Sequence, residues 1–370
     1  MHVVAVTCSH RGDDARIVHR QARVLLEQGH RVTLVSSDPG EEARRLDPHG
    51  LERVVIPRAA GRRRVASWWA VRRALAPLRV SADVILVHDP ELVPVVFSAR
   101  RGRSVYVWDV HEDFVAMAHD TVWMPAPLRS TLSLFVRLIE WYAKKRSRIV
   151  IAEDGYARRF RGAPVVPNTT WVADSPAPLD TEPRAVYVGR VSFDRGVREL
   201  IGLGEELTRR GGPRVVVVGA ADAECETLIA DAHRQGVVDW RGPVSNPEAM
   251  GVVRGALVGL SLLHEIPNYV VSRPTKVIEY LAAGTPVVTT PLPLAALMVA
   301  DSGAGAATRE WSGHELVSEV ADCVMAYASS PQRRAAEGEA GWRFVRDNWS
   351  WNADGPRFVR VLEGFVSASR

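Results

Sequence analysis

From its first residues, the chain alternates short runs of consecutive apolar residues with longer amphipathic stretches. "VVAVTC" (3–8), "RVTLVSS" (31–37), "RVVIP" (53–57), "VILVH" (84–88), "SVYVWD" (104–109) and "RIVIA" (148–152) are such runs and predict strands. Between them apolar positions recur at helical spacing. Residues 14–29 read as a helix ending at Gly29, and the longest helix falls near 127–147. Strands that are apolar throughout, separated by helices, predict a parallel sheet covered on both faces.

The rhythm breaks at "APVVPNTTWVADSPAPLDTEPRA" (163–185), whose five prolines mark a linker. It then restarts: "AVYVG" (185–189), a helix over 196–210, "RVVVVG" (214–219), a helix over 223–235, "VDWRG" (238–242), "ALVGLSLL" (256–263), a helix over 272–284 and "PVVTT" (286–290). The tail, 331–370, reads as helical and carries Trp342, Trp349 and Trp351. The fold class is therefore α/β. Two doubly wound parallel-sheet domains are predicted, at 1–170 and 171–351, facing across a cleft toward which the carboxyl ends of both sets of strands aim.

At 370 residues, the chain is long enough for two domains. With 46% hydrophobic and 24% charged residues it has the composition of a soluble globular protein. No apolar stretch is long enough to span a bilayer, and the first apolar run is too short for a signal peptide. Cys8, Cys225 and Cys323 lie far apart without metal-ligand spacing and read as reduced thiols, which places the protein in the cytoplasm. A formal charge of +4 does not call for nucleic acid; an anionic small molecule or a membrane surface fits as well.

The densest chemistry lies in "SRPTKVIEYLAAGTPVVTT" (272–290). Pro274 suits a first helical turn. The free N–H groups there, beside Thr275 and with Lys276 adding a full charge, make an anion site. Glu279, one turn deeper, is placed to accept two hydroxyls, as from a ribose diol. The alternative is a solvated Lys276–Glu279 pair. In "YVGRVSFDRG" (187–196) a strand ends at Gly189, with Arg190 in the turn and Arg195 opening the next helix. Guanidinium forks match phosphate oxygens; the plainer reading pairs Arg195 with Asp194 or Glu199. "VWDVHEDF" (107–114) sets His111, Glu112 and Asp113 after a strand, and "VHDPELVP" (87–94) does the same for His88 and Asp89. Asp-x-Asp, the phosphate-binding G-x-x-x-x-G-K-[ST] and G-x-S-x-G are absent from the sequence. A diphosphate site built from Arg190, Arg195, Lys276 and a helix N-terminus needs no metal and no other cofactor.

Taken in order, "DARI…GHRVTLVSS", "VHDPELVP", "DVHEDF", "VVPN", "YVGRVSFDRGVREL", "RGPVSNPEAM", "PTKVIEYLAAGTPVV" and "NWSWN" resemble the retaining GT-B-fold glycosyltransferases of family 4 over nearly the whole chain. The resemblance implies two Rossmann-like domains, the second holding a nucleotide-sugar donor and the first an acceptor. It also implies a terminal helix, about 352–370, packing back on the first domain. By position, Glu279 matches the second glutamate of the family's Glu-x7-Glu motif, which binds the donor ribose. Arg190 and Lys276 match diphosphate-binding positions, and Arg195 falls where a second basic residue is usual. His111 matches the histidine that lies against the transferred sugar. Gly12, Gly189, Asn268 and Thr275 fall on donor-side loops, and His88, Asp89, Glu112 and Asp113 on the acceptor side. Two departures concern sugar contacts: the first glutamate of the motif is Val271, and the glycine pair usual in the first loop is reduced to Gly12.

The implied activity is transfer of a hexosyl unit from a nucleoside diphosphate sugar to an acceptor hydroxyl with retention, UDP-sugar being favoured and GDP-sugar the alternative. A nucleotide-sugar epimerase of the same fold and a non-catalytic sugar-nucleotide binder are the competing readings. The acceptor is a small molecule or lipid-linked. "GRRRVASWWAVRRALAPLR" (61–79) mixes arginines with Trp68 and Trp69. It reads either as an interfacial helix making peripheral contact with the inner face of the membrane, or as a sheet-packing helix with solvated arginines.

Overall fold

The apolar runs assemble into two six-stranded parallel sheets. A computed structural model describes residues 1–98, 102–111 and 126–370. In the first sheet β1 (His2–Val6), β2 (Arg31–Ser36), β3 (Glu52–Val55), β4 (Val84–Val87), β5 (Val105–Val110) and β6 (Arg148–Ile151) lie in the order β3-β2-β1-β4-β5-β6. The second comprises β7 (Arg184–Val188), β8 (Arg214–Val218), β9 (Asp239–Trp240), β10 (Val258–Ser261), β11 (Val287–Thr289) and β12 (Gly305–Ala307), ordered β12-β11-β10-β7-β8-β9. Each sheet thus has its first strand between its second and its fourth. At that point successive helices leave on opposite faces, and a crevice opens beyond the strand ends.

Register carries this into residues. Val6 is level with both Val35 and Val87, so the loops that follow β1 and β4 emerge side by side. In the second sheet Val258 is level with Ala185, which brings together the loops after β7 and β10. The chain divides into two units: Met1–Asn168 with Trp351–Arg370, and Thr169–Ser350. The helix Trp351–Ser367 belongs to the first unit, where Trp351 Nε1 donates to the Arg20 carbonyl at 3.2 Å.

Three elements had no clear signal in the pattern. The helix Pro293–Ser302 is apolar on most of its surface and so lacks a periodic stripe, and β12 is Gly-Ala-Ala without a β-branched residue. The helix Gly313–Ala328 packs on the helix Val197–Arg209 and was likewise not assigned. The proline-rich stretch is not a loose tether where it crosses the second unit. Trp342 Nε1 donates to the Ala173 carbonyl at 2.8 Å, and Arg334 donates to the carbonyls of Ala256 and Ala177. Within 61–79 the helix is Arg64–Leu78, and its two tryptophans part company: Trp68 packs against the core while Trp69 is 58% exposed beneath the Arg72 guanidinium. Among the described residues no helix is long and apolar enough to cross a membrane.

Candidate active site

In the second unit the site begins where β7 ends. Gly189 has φ +141°, and its carbonyl lies so close to Gly219 that a Cβ there would come within 1.9 Å. Two strand-end loops therefore touch through backbone alone, which requires glycine. Tyr187, two residues earlier, donates from its hydroxyl to the Arg190 carbonyl at 2.6 Å, and the Tyr280 hydroxyl accepts from Val188 N at 2.7 Å. Pro274 stands at the N-cap of the helix Thr275–Ala282 and supplies no side-chain acceptor to its first turn, where Val277 N bonds the Pro274 carbonyl at 3.0 Å.

Lys276 lies in the first turn of that helix. Its Nζ sits 3.9 Å from the centroid of the Tyr187 ring, is enclosed, and has no hydrogen-bond partner among the described residues. Burial, and then the charge of Arg195, push the Lys276 ammonium well below its ordinary range; Glu279, half-buried one turn on, opposes this. Arg195 donates from Nε to the Tyr269 hydroxyl at 3.0 Å, and that hydroxyl donates to Asp194. Arg195 is thus tied to Asp194 through Tyr269, and the structure places Arg195, Lys276, Gly189 and Glu279 about one strand-end. Thr275 sits at the helix start, and Asn268 uses its carbonyl to accept from the Ser272 hydroxyl at 2.7 Å. Arg190 is engaged elsewhere: two of its nitrogens are committed to the carboxylate of Asp222, the N-cap residue of the helix Ala223–Arg234. Val271 is 68% exposed and offers no carboxylate.

Glu199 and His264 are further residues that the sequence reading did not join. Glu199 Oε1 lies 3.2 Å from His264 Nε2. Burial would raise the Glu199 carboxyl, but the His264 contact together with backbone N–H bonds outweighs it and lowers it; the same contact raises His264. The two line a groove of about 830 Å³ with Arg198, Gly313 and His314, and Lys276 and Arg195 do not line it.

In the first unit a polar cluster fills the crevice between β1 and β4. Asp14 caps the first helix, which winds with π-helical turns over Ala15–Ala22, and accepts from Arg16 N and Ile17 N at 2.9 and 3.0 Å. Arg16 then forms a buried two-pronged pair with Asp109, both bonds 2.8 Å. Gln21 donates to Asp109 at 2.8 Å and turns its oxygen to His88 Nε2, also 2.8 Å away, so that nitrogen carries a hydrogen. Asp89 accepts from Thr7 Oγ1 at 2.9 Å, Cys8 N at 2.5 Å, Ser9 N at 3.2 Å, the Ser9 hydroxyl and His10 Nδ1 at 2.7 Å. Burial alone would raise the Asp89 carboxyl; the bonds from His10, Ser9 and Cys8 outweigh it and hold it below the usual range.

His88 and Asp89 are fully buried, which corrects their expected place. They cannot touch an acceptor from there; they tie the loop after β1 to β4 and β5. His111 sits above them with Nε2 3.1 Å from His10 Nε2 and Nδ1 3.2 Å from the Asp109 carbonyl. Burial pushes His111 down to about 4, with Asp109 opposing. Gly12 is buried, its carbonyl accepting from Arg53 Nη1 at 2.8 Å; a Cβ at Gly12 would lie 2.1 Å from the Ser37 carbonyl. Its glycine is thus required by backbone packing against the loop after β2. Glu112 and Asp113 lie outside the described residues. His10, Asp14, Arg16 and Asp109 were not singled out from sequence. The available signal was their position: His10 stands in the loop after β1, Asp14 and Arg16 at the start of the helix that follows it, and Asp109 near the carboxyl end of β5.

Among the described residues, no three His, Cys, Asp or Glu side chains are placed to hold a metal ion.

Two doubly wound units of one strand order, with a cationic strand-end in the second, are the architecture of the GT-B glycosyltransferases. The chain belongs to that class, with a Glycosyltransferase Family 4 domain over residues 15–162 and a Glycosyl transferase-like domain over 198–355. It is 29% identical over 229 residues to a D-inositol 3-phosphate glycosyltransferase of Segniliparus rotundus, covering 59% of this chain and 48% of that protein. The match therefore spans about half the length of that relative. The fold is shared with sucrose-phosphate synthase from Thermosynechococcus elongatus, with TM-score 0.71, 15% identity and full coverage of both chains. It is also shared with Anabaena HepE in complex with UDP-glucose, with TM-score 0.67, 13% identity and coverage of 98% and 100%. WaaG, a glycosyltransferase involved in lipopolysaccharide biosynthesis, has TM-score 0.66, 17% identity and the same coverage.

Proposed function

We propose that the protein transfers a hexosyl unit from a nucleoside diphosphate sugar to an acceptor hydroxyl, with retention of anomeric configuration and without a required metal ion. The observation that carries this reading is the enclosed ammonium of Lys276, without a hydrogen-bond partner among the described residues, beside Arg195 at a helix N-terminus. A buried charge without a partner is costly, and a diphosphate supplies the partner that it lacks. Negative charge grows on the diphosphate as the glycosidic bond breaks, and fixed cations stabilise that state most. Arg190 joins them by exchanging Asp222 for phosphate, and Glu279 takes the ribose hydroxyls. In a retaining reaction the acceptor attacks from the side of the leaving group, whose oxygen accepts its proton. His111 contacts the transferred sugar. UDP is the favoured nucleotide, supported by the UDP-glucose complex of HepE; a GDP-sugar is the alternative.

The acceptor is lipid-linked in this reading, and the helix Ala126–Arg146 is what favours it. Leu134, Phe135, Leu138 and Trp141 are each more than half exposed on one side of that helix. Lys144, Lys145 and Arg146 close the helix, Lys145 lying 4.1 Å over Trp141. An apolar stripe ending in cations suits an anionic lipid surface. This stripe, rather than 61–79, is the stronger candidate for peripheral membrane contact.

The decisive experiment is mass spectrometry of products from a panel of UDP- and GDP-sugars with polyprenyl-linked and soluble acceptors, with and without EDTA. A glycosylated acceptor bearing the donor's anomeric configuration, formed with EDTA present, supports the reading. An epimerised donor formed without acceptor makes the protein an epimerase, and binding without turnover makes it a carrier. Loss of activity in EDTA, restored by a divalent ion, rejects the metal-free part.

A further inference from the structure

We propose that His10, held by Asp89, is a positioning residue that fixes the hydrogen of His111 on Nδ1 and orients its ring. The inference rests on the reading of His111 as the sugar-facing histidine.

The hydrogen-bond pattern allows few assignments. His10 Nδ1 faces Asp89 Oδ1 at 2.7 Å, so it carries a hydrogen. His111 Nδ1 faces the Asp109 carbonyl at 3.2 Å and is best satisfied as a donor. The two Nε2 atoms are 3.1 Å apart, so one donates and the other accepts. If His111 Nε2 donated, a neutral His111 would turn the lone pair of Nδ1 against a carbonyl lone pair in a buried site. The pattern closes when His10 carries hydrogens on both nitrogens and donates from Nε2 to His111 Nε2. His111 is then neutral, with its hydrogen on Nδ1. The reverse case, a doubly protonated His111 donating to a neutral His10, is opposed by the burial that pushes His111 down.

The charges around the pair agree. Asp14 at the start of the first helix, Asp89 after β4 and Asp109 in β5 face it with three carboxylates; Arg16 balances one. His88, also facing it, is buried and carries its hydrogen toward Gln21. A proton on His10 offsets part of the negative charge that these three carboxylates bring. The ring centroids of His10 and His111 are 5.0 Å apart and tilted by 45°, so the contact is edge-directed and fixes ring orientation as well as tautomer. Asp89 is in turn immobilised by Thr7, Cys8 and Ser9, so the chain of contacts is anchored in the sheet.

Two substitutions at His10 separate this role from simple loop anchoring. Asparagine places an amide where Nδ1 was, keeping the Asp89 contact and losing His111. Glutamine places its amide near the former Nε2, keeping a donor to His111 without a titrating group. The readouts are histidine-selective ¹⁵N NMR of the ligand-free protein and UDP release from UDP-glucose. His10→Asn should leave the melting temperature near wild type, lower turnover about a hundredfold with little change in donor KM, and convert His111 to mixed tautomers. His10→Gln should restore most turnover and the Nδ1–H tautomer. Wild-type turnover should fall as rising pH removes the proton from the pair, and His10→Gln should not show that limb. Wild-type His111 with its hydrogen on Nε2, or Asn active and Gln inactive, overturns the proposal. The expected tautomers in a protein that turns over no nucleotide sugar would uphold the His10–His111 assignment and reject the transferase reading instead.

Discussion

The ammonium of Lys276 lies 3.9 Å from the centre of the Tyr187 ring and makes no hydrogen bond among the described residues. The ring face gives partial compensation through its quadrupole, but less than water would. Lys276→Met keeps the aliphatic shape and removes the desolvated charge. It should raise stability by about 1–3 kcal/mol while weakening nucleoside diphosphate binding and turnover. Chemical denaturation and calorimetry on one preparation check this. A variant that is less stable yet binds UDP normally would place Lys276 in the scaffold rather than the site.

Calorimetry tests Glu279 as well. Glu279→Gln keeps the size of the side chain and removes the charge that strengthens bonds to two ribose hydroxyls. The loss should be about 1.5–3 kcal/mol, roughly ten- to a hundredfold in affinity for UDP. Unchanged affinity in a folded variant removes Glu279 from the ribose site.

Arg190 is paired with Asp222 at the surface, and exposed pairs of this kind contribute only about 0–1 kcal/mol. The guanidinium is therefore cheap to release. Arg190→Ala should barely move the melting temperature and lower turnover at saturating donor about a hundredfold. Asp222→Asn, which frees the side chain, should keep turnover at or above wild type. Wild-type turnover in Arg190→Ala means the guanidinium never leaves Asp222.

Acid should weaken the first unit through His111. Folded His111 takes up a proton only near pH 4, against an ordinary value of 6.5. Between those values the unfolded chain binds more protons, so this contribution is complete above about pH 6.5 and is lost as pH falls toward 4. The ceiling is roughly 3 kcal/mol for this one group. Urea unfolding from pH 7 to pH 4.5 should show a steeper loss for wild type than for His111→Gln. Parallel curves would mean that His111 is hydrated and ordinary.

The stripe on the helix Ala126–Arg146 should bind vesicles containing phosphatidylglycerol, more weakly as salt rises. Leu138→Glu with Trp141→Glu should abolish co-sedimentation without changing UDP affinity, since both side chains are more than half exposed. Equal binding to neutral vesicles would remove the role of the cations.

Much of the architecture was legible in the chain. Continuous apolar runs such as 84–88 and 214–219 are what strands buried on both faces require, and their alternation with helices specifies a parallel sheet. Elements whose burial is uniform or whose residues are small gave no such signal, as with the helix Pro293–Ser302 and β12. That Lys276 and Glu279 share one turn of a helix was legible, because helical spacing is fixed wherever the helix lies.

Partnership was not legible. Local sequence left Arg190 and Arg195 as equal guanidinium groups five residues apart; the fold gave one to Asp222 and the other to Tyr269. It buried Asp89 as an anchor, although the sequence showed only a carboxylate after a strand. His10 and His111 are separated by a hundred residues, and only the strand order, with β4 between β1 and β5, brings their rings together. The sequence by itself determined which elements form and which side chains stand at strand ends, because period and burial are local properties. The tertiary structure decided which of those side chains meet, because contacts between distant segments depend on sheet order and register, to which no short stretch of chain has access.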